Sequence, residues 1–448
     1  MSIFDKRSPS WFTPWRATRF YVPLLIQAFS QCLTYPLVAA IVSHGKVGVV
    51  GLAAFAQGQA VMFMIGALGG GLITTGMIFS KDRQGYGQFL KLNILLCSTL
   101  ILIQILLCFP PFDTILFEGI LGLTPPISRI ARDSTLYCSV LQTVFYLRNV
   151  PLAILYNAKK SGTANNATLA RMFLTAAFSP LFIKLGWVGP EWGVVAMTVP
   201  AGLEMALCIW LSRKYIRKLP PGPLQEASLK TQFSFCMPLS IGGFMLATAS
   251  FLIAAFIARA DEPARMLPLH YVTLGIGNPL GFSALKMQAL PLAFPPRYKG
   301  DNVLFWYGLG SGIILATLTI PFQFPSVAEW YFGKVQNVPP VDIPLVMHAV
   351  MVVALLPILQ SVRGHIEGIA AWYRKPKTIL FAQAVNLTSL VITLTLCLRL
   401  SAPGYLMGVI ALLVASFSTY LSVKIGLKLA DMHHNLTPPP YIPEEEED

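Results

Sequence analysis

Charge is what this chain has least of. Only 12% of its 448 residues are Asp, Glu, Lys or Arg, where an ordinary soluble domain carries about 25%. That scarcity excludes a soluble enzyme. The seven cysteines (Cys32, Cys97, Cys108, Cys138, Cys208, Cys236 and Cys397) form no C-x-x-C pair and no metal-ligand spacing. Scattered through apolar stretches, they read as small packing residues, with no structural disulfide and no metal site. Nucleophile elbow, phosphate loop, metal cluster and catalytic carboxylate pair are all missing. Neither an enzyme nor an ATP-driven pump is indicated, and no cofactor is expected. The run Gly69-Gly70-Gly71 reads as tight helix packing or a flexible point. No small-residue cleavage site follows a short apolar segment, so the first apolar stretch is expected to serve as its own insertion signal.

Hydrocarbon is what the chain has in excess: 55% of residues are hydrophobic and the mean hydropathy is +0.62. Roughly 20 apolar residues cross a bilayer core, and twelve such stretches are present. They run 17–43, 48–79, 87–109, 130–157, 163–184, 188–212, 231–259, 265–293, 302–324, 343–372, 376–398 and 403–429, here spans 1 to 12. The net charge of +13 does not indicate nucleic acid, because Lys and Arg gather in every second connection, as the positive-inside rule requires. One side holds Arg16 and Arg19, Lys81 and Arg83, Lys159 and Lys160, Arg213 to Lys218, Arg297 and Lys299, Arg374 to Lys377, and Lys424 and Lys428. The other holds few, among them Arg132, Arg265 and Lys334. Both termini are therefore expected in the cytoplasm, in a plasma (cell inner) membrane protein.

An offset of 215 residues relates most of the chain to itself. Phe20, Pro23 and Leu24 return as Phe235, Pro238 and Leu239; Arg148 returns as Arg363; Lys160 and Thr163 return as Lys375 and Thr378. Gly189 and Gly193 return as Gly404 and Gly408. Matched Pro, Arg and Gly at one ungapped offset mark a duplication, a common plan for secondary transporters. Six spans precede the polar connection 213–230 and six follow it, so the repeats are parallel. The expected fold is an all-α polytopic membrane protein with about 12 transmembrane helices. Its parts are a cytoplasmic interfacial N-terminus (1–16), an N-lobe (17–212), the linker (213–230), a C-lobe (231–430) and a disordered acidic tail (431–448). Lipids are the expected surroundings, and the tail is a candidate site for a weak partner.

Ionisable groups at bilayer depth are costly and therefore functional candidates. Arg148 lies eleven residues before Lys159, and Arg363 eleven before Arg374. At 1.5 Å per residue that is roughly 16 Å from the basic ends, near the middle of a hydrocarbon layer about 30 Å thick. Arg171 and Lys286 have the same spacing to Lys160 and Arg297. These four cations face two buried acids, Glu204 and Glu367. The surplus favours an anionic ligand, and arginine's planar fork suits carboxylate or phosphate oxygens. Arg148, Arg171, Lys286 and Arg363 are thus candidate substrate ligands. Three have a structural alternative: Arg148 as a helix clamp through Glu204, Arg171 as a snorkelling or clamping residue, and Arg363 as an i,i+4 pair with Glu367; Lys286 has no obvious local partner in the sequence. His365, Glu367, Glu204, His270 and Asn278 are candidates for coupling or polar lining. Pro23 and Pro238 are candidate gating positions where spans 1 and 7 bend, against the alternative of prolines in a first helical turn.

Three segments resemble the progressive ankylosis (ANK) family: Arg19-Phe20-Tyr21-Val22-Pro23-Leu24, Ser234-Phe235-Cys236-Met237-Pro238-Leu239, and Val362-Arg363-Gly364-His365-Ile366-Glu367-Gly368 before the basic turn Arg374-Lys375. The resemblance implies a fold of the multidrug/oligosaccharidyl-lipid/polysaccharide flippase (MATE-like) type. It also implies efflux of a small anionic substrate such as pyrophosphate, a nucleotide or citrate. Lys286 and Gln288 stand where that family has Glu and Arg. A MATE-like multidrug or lipid-linked-sugar flippase is the competing transport reading, although a drug exporter should bury more acids than bases. A non-transporting scaffold gains nothing from buried charge.

Overall fold

The computed structural model describes residues 13–432 apart from 122, 223–226, 258, 297–301 and 337. Most of the N-terminal segment and the linker residues 223–226, together with Arg297, Lys299 and the tail from residue 433, lie outside the described residues; Asp431 and Met432, placed in the tail by the sequence, end the last helix. All twelve stretches are helical. Among the described residues, ten helices are long and apolar enough to cross a membrane, and the chain is an integral membrane protein. The remaining two of the twelve expected spans, 1 and 8, are helical as well. Span 1 (Pro14–Ser43) carries Arg16, Arg19, Gln27 and Ser30. Span 8 begins as the helix Pro263–Leu285, with Pro268 and Pro279 inside it, then tightens into a 3₁₀ turn, Lys286–Ala289. Polar residues and the two internal prolines make span 8 less apolar than the spans on either side of it.

The 215-residue offset is carried into the backbone. The helices that open the two repeats begin at Pro14 and Leu229. Span 4 begins at Pro125, and span 10 begins with the turn at Pro340. Span 5 begins at Ser161 and span 11 at Pro376. Lys159 and Arg374 both have positive φ, 53° and 56°, and so do Gly186 and Ser401, 73° and 51°. Left-handed backbone costs a non-glycine residue about 1–2 kcal/mol. Here it is compensated identically: Lys160 N donates to Leu155 O at 2.8 Å, and Lys375 N to Ala370 O at 2.9 Å. Two π-helical turns also correspond residue for residue, Thr114–Ile120 and Glu329–Val335, each around a fully buried phenylalanine, Phe117 and Phe332.

The described residues form two compact units, Thr18–Thr248 and the chain from Ala249 onward with the residues before Thr18. The boundary falls inside the helix of span 7 (Leu229–Ile257), beyond the linker 213–230 where the sequence places it. The first half of that helix is tied to spans 2 and 3. Gln232 Nε2 donates to Gly85 O at 3.0 Å, and the Phe235 ring meets Phe79 edge-on at 5.4 Å. Gly71 explains the closeness, because a Cβ there would stand 2.6 Å from Cys236 O. The three-glycine run is thus a packing device. All seven cysteines are free thiols.

Candidate functional site

In the first unit, spans 1, 4, 5 and 6 deliver one polar network into an apolar interior. Arg148 Nη1 donates to Glu204 Oε2 at 2.6 Å. Arg171 Nε lies 3.1 Å from the same oxygen. The Thr168 hydroxyl donates to Glu204 Oε1 at 2.5 Å, Gln27 Nε2 donates to Thr168 at 3.0 Å, and Tyr156 OH donates to Gln27 Oε1 at 2.6 Å. Glu204 is fully buried and Arg148 only 7% exposed. The Arg148 guanidinium also sits over the Phe145 ring, 5.0 Å from its centre. Two guanidinium groups thus share one carboxylate, which leaves a single positive charge inside the bundle.

In the second unit, Arg363 occupies the place equivalent to Arg148 but is neutralised by an acid of its own helix. Its Nε donates to Glu367 Oε1 at 2.8 Å within the same span, and Nη2 donates to Gln383 Oε1 of span 11 at 2.9 Å. Gln383 returns a bond to Glu367 Oε1 at 3.0 Å. Where the first unit pairs Arg171 with Glu204, the second has Asn386 donating to Thr419 at 2.9 Å, and the cluster is neutral. The rest of the Val362–Gly368 motif packs. Gly364 and Gly368 let span 10 approach the irregular segment after span 8: a Cβ would stand 2.8 Å from Leu285 O at one and 2.5 Å from Gln288 O at the other. His365 turns to span 9, its ring edge-on to Phe305 at 5.9 Å.

The structure therefore joins Arg148, Arg171 and Glu204, and separately Arg363 and Glu367. It does not leave four free cations: three of the four guanidinium or ammonium candidates are bound to acids within their own unit. Arg363 is 1% exposed and does not stand open on a surface. Lys286 is half-buried and opens the 3₁₀ turn. Asn278 is half-buried, Tyr271 exposed and His270 buried. Pro23 and Pro238 lie well inside the helices Pro14–Ser43 and Leu229–Ile257, so the first-turn alternative does not apply to either. Thr168, Gln27, Tyr156 and Gln383 escaped the sequence reading. One signal was available: Thr168 and Gln383 are themselves 215 residues apart.

No family model matches the sequence, and no curated protein matches it. Solved structures do match, and they define the class as a MATE-type membrane fold. One is a multidrug resistance MATE family transporter of the MOP superfamily in an outward-facing conformation. It is 15% identical, with 96% of this chain and 98% of that chain covered and a TM-score of 0.71. A second is the eukaryotic MATE transporter AtDTX14, 14% identical over 93% of this chain and 95% of that chain, TM-score 0.70. A third is a MOP superfamily transporter from Pyrococcus furiosus, whose binding pocket is described as having reverse polarity that suggests a different function. It is 14% identical over 95% of this chain and 100% of that chain, TM-score 0.71.

Proposed function

We propose that the chain is a secondary transporter that works by alternating access and exports small polyvalent organic or phosphate-bearing anions from the cytoplasm. The MATE-type fold supports the transporter class. Taken alone, that likeness favours a MATE-like multidrug or flippase role over an anion exporter, since one neighbour is a multidrug resistance transporter. The observation that turns the reading towards anions is the Arg148–Glu204–Arg171 cluster, with one positive charge in excess in a low-dielectric interior. A cationic drug would meet no free carboxylate among these residues, because Glu204 and Glu367 are both bound to arginine. The reverse-polarity pocket described for the Pyrococcus furiosus transporter is a precedent on the same fold. The three segments resembling the ANK family add pyrophosphate, nucleotides and citrate as the first solutes to try.

Arg171→Asn tests the charge directly. Asparagine is what the second repeat uses at the equivalent Asn386, so the substitution removes the surplus charge without asking the fold for a new arrangement. Ligand that binds only the folded state raises thermal stability by mass action. Citrate or pyrophosphate at saturating concentration should raise the melting temperature of the purified wild-type protein, whereas ethidium should not. The variant should lose about tenfold in anion affinity, the equivalent of about 1.4 kcal/mol, with its own melting temperature little changed. Stabilisation of both proteins by ethidium and of neither by the anions would favour the multidrug reading.

A further inference from the structure

The two repeats act as controls for one another: a buried polar group that the fold requires should recur, and one that does not recur calls for another reason. Phe55, Gly193 and Val38 meet in the first unit, where a Cβ on Gly193 would stand 3.3 Å from Val38 Cγ1 and 3.4 Å from Phe55 Cζ. Their equivalents, His270, Gly408 and Ile253, meet in the same way. A Cβ on Gly408 would stand 2.5 Å from Ile253 Cγ2 and would overlap the imidazole at Cε1. The fold therefore needs a flat ring against a glycine at this point, and phenylalanine satisfies it. The second unit has an imidazole there, 1% exposed. Its Nδ1 has no hydrogen-bond partner, and its polar neighbour is the main chain of Tyr405. A buried nitrogen without a partner costs stability and contributes nothing to packing that phenylalanine would not.

His270 lies seven residues into the helix that begins at Pro263, about 10 Å from that end, which is the end away from the basic connections. The Tyr405 hydroxyl is 3.3 Å from Nδ1 of His348, and His348 is exposed. Spans 7, 9, 10 and 12 pack against span 8. Span 12 brings Tyr405; span 10 brings His348 and Asp342; span 9 has Tyr307; span 7 has Arg259, which bonds the Ala255 carbonyl of its own helix. Span 8 itself adds Tyr271, Arg265 and Glu262. Asp342 is held by Arg265 at 2.6 Å, and Glu262 by the same arginine at 2.8 Å.

We propose that His270 is a proton-binding site that couples a proton gradient to the transport cycle. Among the described residues an imidazolium at this position has no free carboxylate to meet, so charge and the dry packing against Gly408 exclude one another. Proton binding then favours the arrangement in which spans 8 and 12 separate enough to admit water, and proton release favours the packed one. The ligand is the proton itself.

The inference rests on the transporter reading, and the experiment separates the two. Purified wild type and His270→Phe are reconstituted in proteoliposomes. Exchange of labelled citrate against internal citrate, without a pH gradient, reports transport alone; accumulation driven by an imposed pH gradient reports coupling. His270→Phe should melt within a few degrees of wild type and keep exchange within about twofold. Its gradient-driven accumulation should fall about tenfold or more. Accumulation by His270→Phe equal to wild type, with exchange active, overturns the coupling role of His270. If wild type exchanges no citrate, pyrophosphate or ethidium, the transporter reading itself fails, and the melting temperatures between pH 5 and 8 remain a direct readout. A wild-type pH dependence absent from His270→Phe supports proton binding there, and identical profiles overturn it.

Discussion

Arg148 and Arg363 occupy equivalent places, yet their charges are balanced by different helices: Glu204 of span 6 in one case, Glu367 of span 10 itself in the other. The recurring element is the arginine, and each repeat supplies its own acid. Removing the acid from the first cluster should be severe. Glu204→Gln leaves two guanidinium groups buried side by side, and breaking a buried ion pair costs about 3–5 kcal/mol. Thermal unfolding in detergent should show a large loss for Glu204→Gln, partly restored when Arg171→Asn is added. Additive effects of the two substitutions would show that the three residues do not act as one cluster. The Arg363–Glu367 pair was legible from its i,i+4 spacing, and Arg148–Glu204 was foreseen as an alternative. Arg171 as the third member was not, because a charge in the middle of a helix does not reveal which neighbour it turns to. The polar relay through Thr168, Gln27 and Tyr156 was hidden for the same reason: uncharged side chains in apolar spans look alike until the helices pack.

Elements show a sharper division between what was legible and what was not. Helix positions and the duplication follow from apolar length and from matched Pro, Arg and Gly, and the paired left-handed residues Lys159 and Arg374 fall within the basic turns already matched. The paired π turns were invisible. Thr114–Ile120 and Glu329–Val335 share only one phenylalanine at matched positions, and a single wide turn sets up no apolar period to recognise. Phe332→Ala should therefore destabilise the second unit by about 3–5 kcal/mol, read as a lower melting temperature; a change under about 0.5 kcal/mol would mean that the turn does not depend on its buried ring. Pro23 and Pro238 belong to this scale as well. Each removes a backbone donor inside a helix, so Pro23→Ala and Pro238→Ala should leave the melting temperature equal or higher while transport slows severalfold. Unchanged transport in both variants would remove these prolines from the gating mechanism.

At the scale of the whole molecule, two six-helix repeats with the same backbone have been given unlike interiors. The first carries a surplus positive charge in a polar relay; the second carries a neutral arginine cluster and a buried imidazole where its twin has phenylalanine. On the proposed reading that asymmetry divides the labour, the first unit taking the anion and the second the proton. A duplicated scaffold with no transport role would have no use for either. The most direct test is flux of radiolabelled pyrophosphate and citrate, beside ethidium, through proteoliposomes containing wild type or Arg171→Asn. The account predicts saturable anion flux by wild type, a fall of about tenfold in the variant, and no ethidium flux by either. Saturable ethidium flux that Arg171→Asn leaves unchanged, with no flux of either anion, would contradict it.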